Sequence, residues 1–282
     1  MEVIYLDQDN IDVYKDYFSE DMAENIGRSF HHGFVVTDGD DPAAGIIWEI
    51  RNVMKEGDRE SHIVFIKIDN DEASDILFDT YKEAIAEDEA VKSTFSLPAK
   101  ASVKEKDALK NAGFTVDLME GDTIRATLSE ISEIGFIKKV TPSAAVKPLS
   151  NLNQRALNFG IRHFTALGQY GLCEDIAYLS RSYFENDVSC YLEGDEQING
   201  LLLYHKIPSG ALKVILMAVD GNAFVRELPG LMSQSVSRAM EIYDPGTEVW
   251  IDRHNYSALA LTEKLFPSTF GIPVYVGSRD EI

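Results

Sequence analysis

The chain has 282 residues, 45% hydrophobic and 26% charged, which is enough apolar surface for two domains and excludes a disordered or low-complexity chain. Its formal net charge is -21, with most of the acidic excess in residues 1–150. A field of that sign repels DNA, RNA and anionic lipid, so no nucleic-acid or membrane partner is expected.

Residues 11–26 place Ile11, Tyr14, Phe18 and Met22 on one helical face. Strand-like segments follow at 33–37, 44–50 and 62–68, then a helix over about 71–86 with an acidic first turn. A strand at 92–97, a short helix near 103–112 and strands at 114–118 and 123–129 complete the first half. The second half reads helix 150–165, a helical stretch 173–184 and strands 188–192, 199–205 and 212–219. It continues with helix 227–243, strand 247–251, helix 255–266 and strand 272–277. The N-terminus MEVIYLDQDN lacks the basic segment and apolar run of a signal peptide. No apolar stretch approaches the roughly 20 residues of a membrane span.

The two halves share an order of elements, and the order marks a repeat. Asp38-Gly39-Asp40 precedes Ala44-Gly45-Ile46, as Glu193-Gly194-Asp195 precedes Asn199-Gly200-Leu201. The two glycines of each pair stand six residues apart, and Gly-Asp suits the hairpin turn between such strands. The segment 141–150 (TPSAAVKPLS) is the natural linker, which gives domains at 1–140 and 141–282. Cys173 and Cys190 form neither a disulfide framework nor a zinc spacing and read as reduced thiols of a cytoplasmic protein. His31, His32 and His62 have no metal spacing with other ligands.

Each half reads helix, helix, three antiparallel strands, helix, strand, helix, strand, and in this order the sequence resembles the GNAT superfamily of N-acetyltransferases. The local match lies in Asn255-Tyr256-Ser257-Ala258-Leu259-Ala260-Leu261-Thr262-Glu263-Lys264-Leu265-Phe266-Pro267. It is similar to the family's N-x-x-A-x-x-L-Y-x-x-L-G-F helix, with Thr262 at the Tyr position and Phe-Pro at Gly-Phe. In the first half, Leu109-Lys110-Asn111-Ala112-Gly113-Phe114 matches the end of that pattern. The resemblance implies a mixed α/β (α+β) fold of two GNAT-like domains, each a mostly antiparallel sheet with a central splay flanked by helices. It implies acetyl-CoA as cosubstrate and an amine, small or on a protein, as acceptor.

What the resemblance implies for individual residues is uneven between the halves. The family binds pyrophosphate at the start of its third helix through Q/R-x-x-G-x-G/A. In the first half that place is Asp69-Asn70-Asp71-Glu72-Ala73-Ser74-Asp75, with no glycine and four carboxylates, so CoA is not expected there. In the second half Arg226 takes the Q/R position, and Leu228, Pro229, Gly230 and Leu231 follow. The cofactor set implied is Met217, Ala218, Val219, Arg226, Leu228, Gly230, Leu231 and Asn255, with Pro229 at a first helical position. Met217–Val219 would supply the oxyanion N–H. His205 and Asp252, each at a strand end, are candidate bases, and Thr262 stands at the acid position as a weak proton donor. The rival reading is a GNAT pair that has lost its chemistry and serves in binding or regulation. A tRNA-dependent aminoacyl transferase on paired domains of this type conflicts with the charge.

Overall fold

The computed structural model describes residues 1–27, 31–52, 59–169, 174–195, 197–221, 224–253, 256–267 and 269–281, with main chain alone at 174, 175, 224–226, 256 and 257. Contacts divide the chain into two compact units, Met1–Gly121 with Ile272–Ile282, and Asp122–Gly271. The sequence reading divides it at 140–141. The difference comes from two strands that each join the sheet of the other half.

Unit 1 begins with β1 (Glu2–Tyr5), α1 (Ile11–Phe18), α2 (Glu20–Ala23), β2 (His31–Asp38), β3 (Asp41–Asn52) and β4 (Arg59–Ile68). It continues with α3 (Glu72–Glu87), β5 (Ala90–Pro98), α4 (Val103–Asn111) and β6 (Asp117–Glu120). The single helix expected over 11–26 is broken at Ser19, whose φ of 83 no helix accommodates. Unit 2 begins with β7 (Thr123–Thr127), α5 (Leu128–Ser132), α6 (Gly135–Lys139), β8 (Val146–Pro148) and α7 (Gln154–Ala166). Short 3-10 turns at Glu174–Tyr178 and Arg181–Tyr183 replace the helix expected at 173–184. Then come β9 (Cys190–Glu193), β10 (Ile198–Lys206), β11 (Leu212–Val219), α8 (Phe224–Ile242), β12 (Glu248–Asp252) and α9 (Tyr256–Leu265). The last strand, β13 (Pro273–Asp280), belongs to unit 1.

The sheet of unit 1 runs β1-β2-β3-β4-β5-β13-β6, and that of unit 2 runs β7-β12-β11-β10-β9-β8. Thus β13 lies between β5 and β6, and β7 closes the sheet of unit 2 beside β12. All neighbours pair antiparallel except β4 with β5 and β11 with β12. Helix starts are set locally. Ser102 and Glu105 form a reciprocal capping box on α4, as Thr127 and Glu130 do on α5.

The core of unit 1 gathers Phe34, Ile46, Trp48, Ile63, Leu77, Tyr81, Phe95, Leu109 and Phe114 between its sheet and helices α3 and α4. Trp48 meets Tyr81 edge-on at 5.4 Å between ring centroids. The Tyr81 hydroxyl sits between two buried serines, 2.7 Å from Ser61 Oγ and 3.0 Å from Ser93 Oγ. In unit 2, Leu202, Leu212, Val219, Leu228, Leu231, Val236 and Val249 pack together. Cys190 is buried there, with Sγ 3.4 Å from the Leu231 carbonyl oxygen, and burial pushes its thiol pKa up. In a Cys173→Ser background, native protein should therefore react with a thiol reagent only as fast as it unfolds. Complete labelling within seconds under native conditions would contradict this.

Candidate functional site

The parallel pair β11–β12 is joined over two rungs only, Leu212 with Val249 and Lys213 with Trp250. Beyond them the strands part. At the parting point β11 carries a bulge. Leu203 and Tyr204 of β10 face Leu216 and Val214, leaving Ile215 as the extra residue. Such a bulge bends the strand and re-aims its backbone. The direction of the main chain follows from alternation along a strand. Asp220 donates its N–H to Asn199 O at 2.9 Å, on the β10 side. Val219 and Met217 consequently present N–H and C=O to the opening, and Ala218 turns its main chain to β10. Among the three β11 residues expected to line a cofactor, Ala218 therefore faces away, and its side chain is buried. On the opposite wall, Arg253 donates N–H to Asp122 O at 2.7 Å on the β7 side, so the main chain of Asp252 faces the opening.

The edge at Val219 is not bare. Its N–H donates to Gln169 Oε1 at 2.9 Å, and Gln169 Nε2 donates to the Val219 carbonyl at 2.9 Å. Gln169 follows α7 and carries no sequence motif, and sequence reasoning passed over it.

The start of α8 differs from expectation. The helix begins at Phe224, so its unpaired N–H groups belong to the first turn. Leu228, Gly230 and Leu231 lie further along, their N–H groups taken by the helix ladder, and cannot cradle a phosphate as expected from the loop pattern. Leu228 and Leu231 fill the core instead, and Gly230 packs near Pro142 and Val146. Pro229 stands in the second turn rather than at the first position. Arg226 has only its main chain described, in the first turn, and Asn255 lies outside the described residues. Glu227 adds a carboxylate to the same turn and accepts from Ser143 Oγ at 3.3 Å.

His205 is buried on β10 directly opposite Lys213, the residue of the last joined rung. Its ring stacks on Tyr183 with centroids 3.9 Å apart. Nδ1 lies 2.6 Å from the Tyr183 carbonyl oxygen. A carbonyl only accepts, so Nδ1 carries the proton and the ring is held in one tautomer. Thr262 is buried, and its hydroxyl is directed at the helix itself, 2.8 Å from Ala258 O and 3.0 Å from Leu259 O.

Unit 1 repeats the device. β4 and β5 are joined from Arg59–Ala90 to Ile63–Phe95 and then part, with the bulge at Val64. Asp69 donates its N–H to Ala43 O, so Ile68 is the counterpart of Val219 at the opening. Here the Ile68 N–H meets Glu105 Oε1 at 3.4 Å, while Glu105 Oε2 accepts from Ser102 N–H at 2.6 Å. Tyr17 reaches Lys67 O at 3.4 Å, its pKa raised by burial and by the carboxylates of Asp69 and Glu105. At the head of α3, Lys104 bridges to Asp71 and Lys67 to Asp69.

A separate cleft of about 900 Å³ in unit 2 runs along α7 and the β9–β10 turn, lined by Arg155, Phe159, Arg162, Tyr191, Glu193 and Asp195. It shares no lining residue with the β11 edge at Met217–Val219.

No family model matches the sequence, and no curated protein matches it. Solved structures do. A tandem GNAT protein from the clavulanic acid biosynthesis pathway aligns over 100% of this chain and 99% of its own, with TM-score 0.61 and 9% identity. A GCN5-related N-acetyltransferase from Anabaena variabilis aligns over 100% of this chain and 73% of its own, with TM-score 0.56 and 14% identity. One from Sphaerobacter thermophilus aligns over 99% and 96%, with TM-score 0.54 and 11% identity. At such identities the likeness speaks for the fold. Alignment over nearly the whole chain, at TM-scores of 0.54 to 0.61, gives this chain the fold of these GNAT structures.

Proposed function

We propose that the chain is an N-acyltransferase that uses acetyl-CoA in the opening of unit 2 and an amine as acceptor. The observation that carries this is the bulged β11, which turns the main chain of Met217 and Val219 to an opening that leads into the start of α8. A strand edge of this kind pairs with amides, and a helix N-terminus favours a diphosphate. When bound, acetyl-CoA supplies an activated acyl thioester.

The chain's own groups would then do the following. The edge at Met217 and Val219 holds the amide chain. Arg226, the only cation between residues 220 and 231, pairs with phosphate. His205, fixed with its proton on Nδ1, and Asp252, on the far wall, are the candidates for taking the amine proton. The acidic field draws a cationic acceptor toward the chain. Glu105 and the carboxylates at 69–75 leave unit 1 without CoA. The free thiol of Cys190 suits a cytoplasmic setting, Cys173 lying outside the described residues, and no helix among the described residues is long and apolar enough to cross a membrane.

The test is binding. Free CoA at 100 times its Kd should stabilise the protein by about 2.7 kcal/mol. Arg226→Ala should weaken that binding at least about tenfold, as loss of one charge-assisted contact implies. Thr262→Val should leave turnover within about twofold, because the hydroxyl already points at Ala258 O and Leu259 O. Unchanged affinity in the first variant removes the phosphate assignment, and a large rate loss in the second restores Thr262 as the acid. The second reading, a GNAT pair without chemistry, draws on the same Thr262 geometry. CoA binding with no acyl transfer to any amine would establish it.

A further inference from the structure

The Gln169 carboxamide makes two hydrogen bonds to one residue of the open edge, accepting from Val219 N–H and donating to Val219 C=O, both at 2.9 Å. An added peptide-like chain makes the same two bonds to an edge residue, through two successive amides. We propose that Gln169 holds the place of a ligand amide on β11, and that the cosubstrate binds unit 2 only when this side chain leaves. The inference rests on the acetyl-CoA reading above and adds to it the residue that sets affinity.

Three observations support it. Val219 has a single N–H on that edge, so Gln169 Oε1 and a ligand carbonyl cannot both accept it. The side chain can leave without its backbone. Gly168, with φ of 76, ends α7, and Gln169 N–H is tied to Phe164 O at 2.9 Å, so rotation about the side-chain torsions suffices. Unit 1 provides the contrast. Its equivalent edge group, Ile68 N–H, meets the Glu105 carboxylate, which only accepts and is pinned at its other oxygen by Ser102 N–H. Glu105 is a fixture of a helix cap, whereas Gln169 makes an acceptor and a donor contact that the carbonyl of one pantetheine amide and the N–H of the other would reproduce. Exchange of the two leaves no Val219 group unpaired, so the edge is never buried with unmet groups.

The test uses the full chain and two probes, CoA and pantetheine, the latter lacking phosphates and so reading the strand edge alone. Calorimetric titration compares wild type with Gln169→Ala and with Gln169→Met, which keeps length and volume without the amide. Both variants should bind both probes about tenfold more tightly than wild type. Hydrogen exchange at the Val219 amide should be at least about tenfold faster in both ligand-free variants. Equal or weaker binding in both variants, with wild type binding normally, overturns the placeholder role and leaves the cosubstrate reading standing. Unchanged exchange at Val219 overturns it as well. If neither probe binds any of the three proteins, the cosubstrate reading falls and the placeholder role falls with it.

Discussion

A chain ending at Gly271 is expected to lose the cooperative unfolding of unit 1 while unit 2 still unfolds as a unit. β13 pairs with β5 from Val274–Pro98 to Asp280–Lys92 and with β6 from Pro273–Glu120 to Val276–Asp117. Without it β6 has no neighbour among the described strands, and β5 becomes an exposed edge. The anchoring of α4 goes too. Arg279 Nη1 donates to Ala112 O at 2.8 Å at the end of that helix, its Nε donates to Glu281 Oε1 at 2.6 Å, and its guanidinium lies 4.6 Å from the Phe114 ring centroid. A domain's whole stability is about 5–15 kcal/mol, and loss of an interior strand exceeds what such a margin absorbs. The two tryptophans separate the outcome, since Trp48 lies in unit 1 and Trp250 in unit 2. Urea titration of the shortened chain in a Trp250→Phe background should show no cooperative change in Trp48 emission. The Trp48→Phe background should keep its transition. A Trp48 transition of unchanged midpoint would show that β13 contributes little.

Gly277→Ala is expected to destabilise unit 1 by about 3 kcal/mol or more, the upper end of overpacking costs. A Cβ at Gly277 would overlap the Thr115 carbonyl oxygen and stand 2.6 Å from Phe95 Cε1. The first neighbour is backbone, held by Thr115 N–H donating to Ser278 O at 3.1 Å, so it cannot swing aside. Gly39 provides the control. Its φ of 66 strains an alanine, but no atom of the described residues lies within 4 Å of its Cβ, so Gly39→Ala should cost only about 1–2 kcal/mol. A midpoint loss at Gly277 no larger than at Gly39 would show that the strand yields.

The sequence displayed what local pattern controls. The Gly-Asp hairpins and the amphipathic face of α3 all stand where periodicity puts them. The short strands β1 and β8 were not legible, because three or four residues carry no readable alternation. Nor was the exchange of β7 and β13. A strand's pattern says which face is buried, not which neighbour it pairs with, and the segment 272–277 reads the same beside β12 as beside β5. For the site, β11 is visible as LKVILMAV, but its bulge is not, since Ile215 looks like any strand residue. The sequence pattern points to a later start for α8 because Pro229 is a familiar first-position residue, whereas the helix is seeded about a turn and a half earlier, at Phe224. Gln169 reaches β11 across fifty residues of sequence, a contact that tertiary packing alone creates.

The placement of β13 also sets an order of assembly on the ribosome. Unit 1 emerges first, yet its β5 and β6 wait for a strand encoded beyond all of unit 2. Unit 2 has its borrowed strand, β7, synthesised ahead of the rest and can close once residue 271 is clear. While it waits, unit 1 exposes an open β5 edge, the kind of surface that invites mispairing with other nascent chains. The domain translated first is the one completed last.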